Sequence, residues 1–159
     1  MTERFRVVPA AYLLLRREAG GHPEVLLQLR RGTGYFDEHW AAGAAGHVER
    51  GESVFAAACR EAVEELGITV DPADLLVLSV LHRTDPAHRP VDERVDVFFS
   101  CSRWAGTPVI RETDKAGELR WFRLAELPSP VVPHELLVLQ GLRTGLLPPL
   151  LTVGFDGPG

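Results

Sequence analysis

The chain has 159 residues, 45% of them hydrophobic and 25% charged, a balance that excludes disorder and collagen-like structure and suffices for one domain with its own core. Its net charge of −5 offers no general basic field to a phosphate backbone, so no nucleic-acid polymer is expected as a partner. Two cysteines, Cys59 and Cys101, make neither a disulfide framework nor a zinc-spaced cluster, which reads as a reduced, cytoplasmic chain.

The first residues, MTERFRVVPA, do not read as a signal peptide. No apolar stretch approaches the roughly 20 residues of a membrane helix, so no membrane partner is expected. Phe5 to Leu15 is rich in Val, Leu and Ala and predicts a buried strand. A Gly-Gly turn then leads to a second apolar strand, Glu24 to Leu29, making a hairpin. Arg30 to Ala45 reads as irregular chain, and Gly46 to Gly51 as a loop. Ser53 is a suitable N-cap for a helix over Val54 to Leu66, and Gly67 a natural stop. Phe55, Cys59, Ala62 and Leu66 recur at helical spacing and predict its apolar, core-facing stripe.

Strands are predicted over Leu75 to Leu81, Val91 to Cys101 and Leu119 to Leu124. Arg94 and Asp96 share one face of the second. Pro133 introduces a last helix, about His134 to Arg143, which Gly145 ends. Hairpins, crossovers and two helices together argue for an α/β fold with a mixed β-sheet flanked by helices. Trp40, Trp104 and Trp121 read as core or sheet cover, and His47, His82 and His88 as loop residues. Tyr35 and Phe36 are the better stacking candidates.

One stretch carries chemistry. Glu61, Glu64 and Glu65 stand at i, i+3 and i+4, so a helix presents them on one side, opposite the apolar stripe. Like charges so spaced repel by a few tenths of a kcal/mol per pair. Crowded carboxylate oxygens are what a hard divalent cation requires, together with water and phosphate oxygens. Glu49 and Glu52 in the preceding loop add to the acidic set, and Arg60 is expected to pair with a loop carboxylate and hold the loop to the helix. The EF-hand pattern is absent, which sets a calcium-binding module aside.

Gly46, Glu52, Arg60-Glu61, Glu64-Glu65 and Gly67-Ile68 fit the long pattern GX5EX7REUXEEXGU, with Ala62 at the first apolar position. Through this box the chain resembles the Nudix hydrolase family. Its strand order, its ELRWF segment and its terminal helix are similar to MutT-like members. The resemblance implies a Nudix-type α/β/α sandwich with a loop-helix-loop catalytic motif. It implies one domain over residues 1–159, with the motif at 46–68 and a Gly/Pro-rich tail from about 147 to 159.

The implied reaction is hydrolysis of a nucleoside diphosphate linked to another moiety, with Mg²⁺ or Mn²⁺ as cofactor. A nucleoside triphosphate, standard or oxidised, is the favoured substrate; a dinucleotide, a nucleotide sugar or a non-catalytic nucleotide sensor is the alternative. By position, Glu64 and Glu65 are the implied principal metal ligands. Glu61 is a ligand or a base acting through water, Glu49 and Glu52 are secondary ligands or loop anchors, and Ala45 offers its carbonyl to the metal. A base outside the box falls among Glu112, Asp114 and Glu118, with Glu118 preferred because ELRWF places it at a strand start. Arg30 and Arg31 are the implied phosphate contacts and Glu135 the base reader. Arg94 and Asp96 form a cross-sheet pair or a ligand site, and the family admits homodimers.

Overall fold

A computed structural model of the chain describes residues 2–155. Strand β1 (Val8–Ala19) is the axis of its sheet. Alternation along β1 sends Ala11, Leu13 and Leu15 to one face and Ala10, Tyr12 and Leu14 to the other, and all six are buried. Gly20 and Gly21, at φ 60° and 78°, form the tight turn into β2 (His22–Arg30). Both strands run past the apolar stretches that mark them in the sequence. Their polar ends still pair, Arg17 donating to Glu24 at 2.7 Å.

Two short strands occupy the stretch that reads as irregular chain and loop. β3 (Trp40–Ala42) pairs with β2, and β4 (Ala44–His47) pairs with β1. Alanine and glycine carry little strand preference, so the backbone pairing is invisible in their composition. Then follow α1 (Val54–Leu66), β5 (Leu76–Arg83), β6 (Arg94–Cys101), β7 (Ala116–Arg123), α2 (Pro133–Thr144) and β8 (Leu150–Val153). The sheet runs β3-β2-β1-β6-β5-β8, with β4 also on β1 and β7 also on β2. The β1–β6 and β5–β8 pairs are parallel and the rest antiparallel, so the sheet is mixed.

Helix α1 covers the face of Ala11, Leu13 and Phe99, and α2 covers the face of Tyr12, Leu14 and Phe98. The architecture is thus the α/β/α sandwich that the resemblance implies. Val91 is exposed ahead of β6, and His47 and His82 lie on β4 and β5 and not in loops. β8 falls within the expected tail, because a four-residue strand, LLTV, is hidden by its Gly/Pro-rich surroundings. Residues 156–159 of that tail lie outside the described residues. Among the described residues, no helix is long and apolar enough to cross a membrane.

The caps of α1 are as expected. Ser53 Oγ accepts from the Ala56 amide, and Gly67, at φ 67°, donates back to the last carbonyls. The core-facing stripe is not quite as expected. Ala57, Ala58, Ala62 and Leu66 are buried, whereas Phe55 is 39% exposed and rests at the margin against Phe99. Three alanines let α1 approach Ala11 and Ala44 closely, leaving no room there for a phenyl ring. Ala62→Asp, which buries an unpaired charge, is therefore expected to cost more than about 4 kcal/mol and to abolish cooperative folding. Phe55→Asp is expected to cost only about 1 kcal/mol, the worth of a half-buried ring. Urea melts of the two variants check the contrast.

Candidate active site

The acidic side of α1 is organised by Arg60. Its Nε donates to Glu52 Oε1 at 2.8 Å and its Nη1 to Glu61 Oε1 at 2.6 Å and Glu64 Oε2 at 3.1 Å. Its Nη2 donates to the His47 carbonyl at 3.0 Å and to Glu52 Oε2 at 3.1 Å. The expected loop-to-helix pairing is therefore present, and it takes in two carboxylates of the helix as well. Glu52 also accepts from the Glu49 amide, and the Arg60 bond holds its carboxyl below the usual range.

Glu65 is held apart from Arg60, by other donors. Its Oε2 accepts from the Ala45 amide at 2.6 Å, and Gln28 supplies a second donor. Burial pushes its pKa up to about 8, helped by the charges of Glu61 and Glu112. Burial raises Glu61 too, and Arg60 opposes the shift. Gly46 faces this carboxylate so closely that a Cβ would fall 1.9 Å from Glu61 Oε1. Ala45, beside it, sits in strand β4 without the positive φ that would demand glycine.

These groups line a hollow of about 480 Å³ whose walls include Glu49, Glu61, Glu64, Glu65, Glu112 and Lys115. Through Gln28, Arg30, Ala45, Gly46, His47 and Glu65 it adjoins a second chamber of about 200 Å³. The chamber lies on the α2 side of the sheet, with Tyr12, Tyr35, Arg94 and Glu135 in its walls. Glu135 is buried, accepts from the Ala42 amide at 2.6 Å, and is raised by burial to about 7. His134, buried beside Tyr12, is held down to about 3 by burial and by Arg83 and Arg94. Asp96 is fully buried and accepts from Arg83 at 2.6 Å, with Arg94 at 3.5 Å. Arg94 and Asp96 are thus neighbours along β6, and Arg94 also lies in the chamber wall.

The structure brings together Ala45, Glu49, Arg60, Glu61, Glu64 and Glu65, with Glu52 anchoring the loop. It brings Arg30 to both hollows but not Arg31, whose side chain turns outward to Glu38. It also leaves Glu118 away from the carboxylates. Alternation along β7 sends Leu119 and Trp121 to the α1 face, so Glu118 emerges on the other side and pairs with Arg120. Glu112 is the loop carboxylate that reaches the hollow, and Asp114 does not line it. Arg111 N bonds to the Glu65 carbonyl at 3.0 Å and so ties this loop to the end of α1. Gln28 was missed in the sequence, where a lone polar residue in the apolar run VLLQL was its only signal.

The NUDIX domain family model matches residues 6–140. The chain belongs to the NUDIX family. A MutT NUDIX hydrolase from Burkholderia pseudomallei is 26% identical, with a TM-score of 0.74 over 86% of this chain and 98% of that one. The NUDIX domain of Shewanella oneidensis NrtR, complexed with ADP ribose, shares the fold at 17% identity and a TM-score of 0.68, over 90% of each chain. A C. elegans Ap4A hydrolase shares it at 20% identity and a TM-score of 0.59, over 86% and 97%. No curated protein matches. As a NUDIX enzyme the chain is a pyrophosphohydrolase, and enzymes of this family work with divalent metal ions.

The raised pKa of Glu65 has a stability consequence in the absence of metal. Between the ordinary value of 4.5 and about 8 the folded chain keeps a proton on Glu65 that the unfolded chain has lost. The folded state then binds more protons, so stability falls as pH rises through that window. Glu65→Gln is expected to shrink this fall, leaving the parts due to Glu135 and Glu61. Urea midpoints with chelator at about pH 5 and about pH 9 measure it; equal slopes in both proteins would refute the assignment.

Proposed function

We propose that this NUDIX enzyme hydrolyses a nucleoside triphosphate, standard or oxidised, to the monophosphate and pyrophosphate. The observation that carries the reading is the continuity of the two hollows. A carboxylate-lined site of diphosphate size runs directly into a smaller polar chamber with room for one base. In that chamber Glu135 offers a carboxylate to base N–H groups, and Arg94 and Arg30 offer donors to carbonyl oxygens or phosphate.

The residues present fit a divalent cation. Hard oxygen donors crowd the hollow, Glu65 is desolvated enough to hold a proton near neutrality, and Gly46 keeps the space beside Glu61 free of a Cβ. Among the described residues no three acidic, His or Cys side chains already stand at ligand spacing, because Glu61 and Glu64 turn to Arg60 and Glu65 to the Ala45 amide. Glu64 is the readiest to turn back, its side chain being 50% exposed. Glu61, Glu64 and Glu65 would hold the ion, with Glu49 and the Ala45 carbonyl beside them; Mg²⁺ is the expected metal and Mn²⁺ its substitute. The bound ion supplies charge neutralisation of phosphate oxygens and a lowered pKa for water.

Glu112 takes the proton of the attacking water, since it shares the hollow with the helix carboxylates and its loop is fixed to the end of α1. Arg60 keeps the carboxylates in place and, with its donors spent on Glu52, Glu61, Glu64 and His47, does not itself bind phosphate. The chamber walls exclude water from the base and fix the nucleotide's direction.

Tyr35 favours a second reading. It is 48% exposed at the chamber rim, with Arg30 below its ring, and offers a stacking face to a second base or a sugar. A dinucleotide or nucleotide-sugar substrate would use it. A panel of nucleotides assayed with Mg²⁺, with products resolved by chromatography, decides between the two. Tight binding without product would instead mark a nucleotide sensor. Glu64→Gln and Glu65→Gln are each expected to lower turnover by orders of magnitude with the fold intact. Glu112→Gln is expected to lower it by about 10²–10⁴-fold, and Glu118→Gln to leave it unchanged.

A further inference from the structure

Of the 17 basic side chains in the sequence, 16 are arginine, and Lys115 is the only lysine. It lies in the wall of the carboxylate hollow. Its backbone is fixed from both sides: the Arg31 amide donates to the Lys115 carbonyl at 2.9 Å and the Lys115 amide to the Glu112 carbonyl at 3.0 Å. The loop is pressed so closely on β2 that a Cβ on Gly32 would fall 2.6 Å from the Asp114 carbonyl oxygen. The side chain is much less committed. Nζ makes one contact, to Glu112 Oε1 at 3.3 Å, and the side chain is 57% exposed.

The other cations of the carboxylate hollow, Arg60 and Arg30, already have partners in the protein. Arg60 holds three carboxylates and a carbonyl. Arg30 is tied to the Tyr35 carbonyl and the Thr33 hydroxyl. Arg94 is not in this hollow at all but in the chamber, beside buried Asp96. A substrate that brings several negative charges into a hollow walled by glutamates needs a cation free to meet it. An ammonium on a flexible four-carbon stem, held by one exposed ion pair, exchanges partners easily, which a guanidinium locked in a fork does not.

We propose that Lys115 binds the phosphate chain of the substrate, exchanging its contact with Glu112 for a phosphate oxygen and leaving the Glu112 carboxylate free to face water. This rests on the pyrophosphohydrolase reading above. Because there is one lysine, reductive methylation with ¹³C-formaldehyde places one side-chain label on the chain, at Lys115, beside that of the terminal amine. Adding Mg²⁺ and inorganic pyrophosphate is expected to move the Lys115 resonance. In calorimetry Lys115→Met is expected to bind Mg²⁺-pyrophosphate about 10- to 100-fold more weakly, the loss of one hydrogen bond to a charged group, with Lys115→Arg restoring part of it. Uptake of pyrophosphate with a motionless Lys115 resonance, or undiminished binding by Lys115→Met, overturns the assignment and spares the enzyme reading. No uptake by the unmodified protein in the presence of Mg²⁺ overturns both.

Discussion

One guanidinium holds the acidic side of α1 together. Glu61, Glu64 and Glu65 project from adjacent turns, and Glu49 and Glu52 come at them from the loop, a concentration of negative charge that the helix alone would resist. Arg60 sits among them and draws Glu52, Glu61 and Glu64 to itself while bonding the His47 carbonyl of β4. Taking one partner from a buried pair costs about 3–5 kcal/mol, and the Arg60 and Glu61 side chains are only 22% and 11% exposed. The loop, the strand and the helix are consequently one unit, and the remaining pieces of the site are placed relative to it.

Glu65 shows the complementary device. Arg60 does not hold it; the Ala45 amide and Gln28 do. Two neighbouring carboxylates of one helix thus have different environments, one half exposed beside a cation and one less exposed beside neutral donors. The second is poised near neutrality by burial. A cation entering the hollow would find one flexible ligand and one already fixed.

The helical half of this arrangement was legible in the sequence because it is local. Ser53, the i, i+3, i+4 glutamates, Arg60 and Gly67 all belong to one 13-residue helix and its two caps, and helix geometry alone puts them together. Periodicity gave the direction of the apolar stripe but not its depth, and so Phe55 was placed too far in. The chamber was much less legible. Its residues come from β1, β2, β3, β4, β6, α2 and the loop at Tyr35, and no spacing along the chain announces that Tyr12, Gln28, Arg94 and Glu135 meet. Glu118 and Glu112 show the same limit: a carboxylate at a strand start takes its side from sheet register, which the sequence leaves open. β3, β4 and β8 escaped because alanine, glycine and proline around them mask pairing done by the backbone.

The edge of β1 carries one more implication. Residues 10–13 bond β4 and residues 16–19 bond β2, so the two partners leave the same edge in succession, and the opening between them joins the two hollows. The helix carboxylates gather on the α1 side and Tyr12, Arg94 and Glu135 on the α2 side, meeting along a seam of Gln28, Arg30, Ala45, Gly46, His47 and Glu65. Substitutions in the chamber can change its lining while the box stays untouched. A lineage built on this scaffold is free to change its diet without relearning its chemistry.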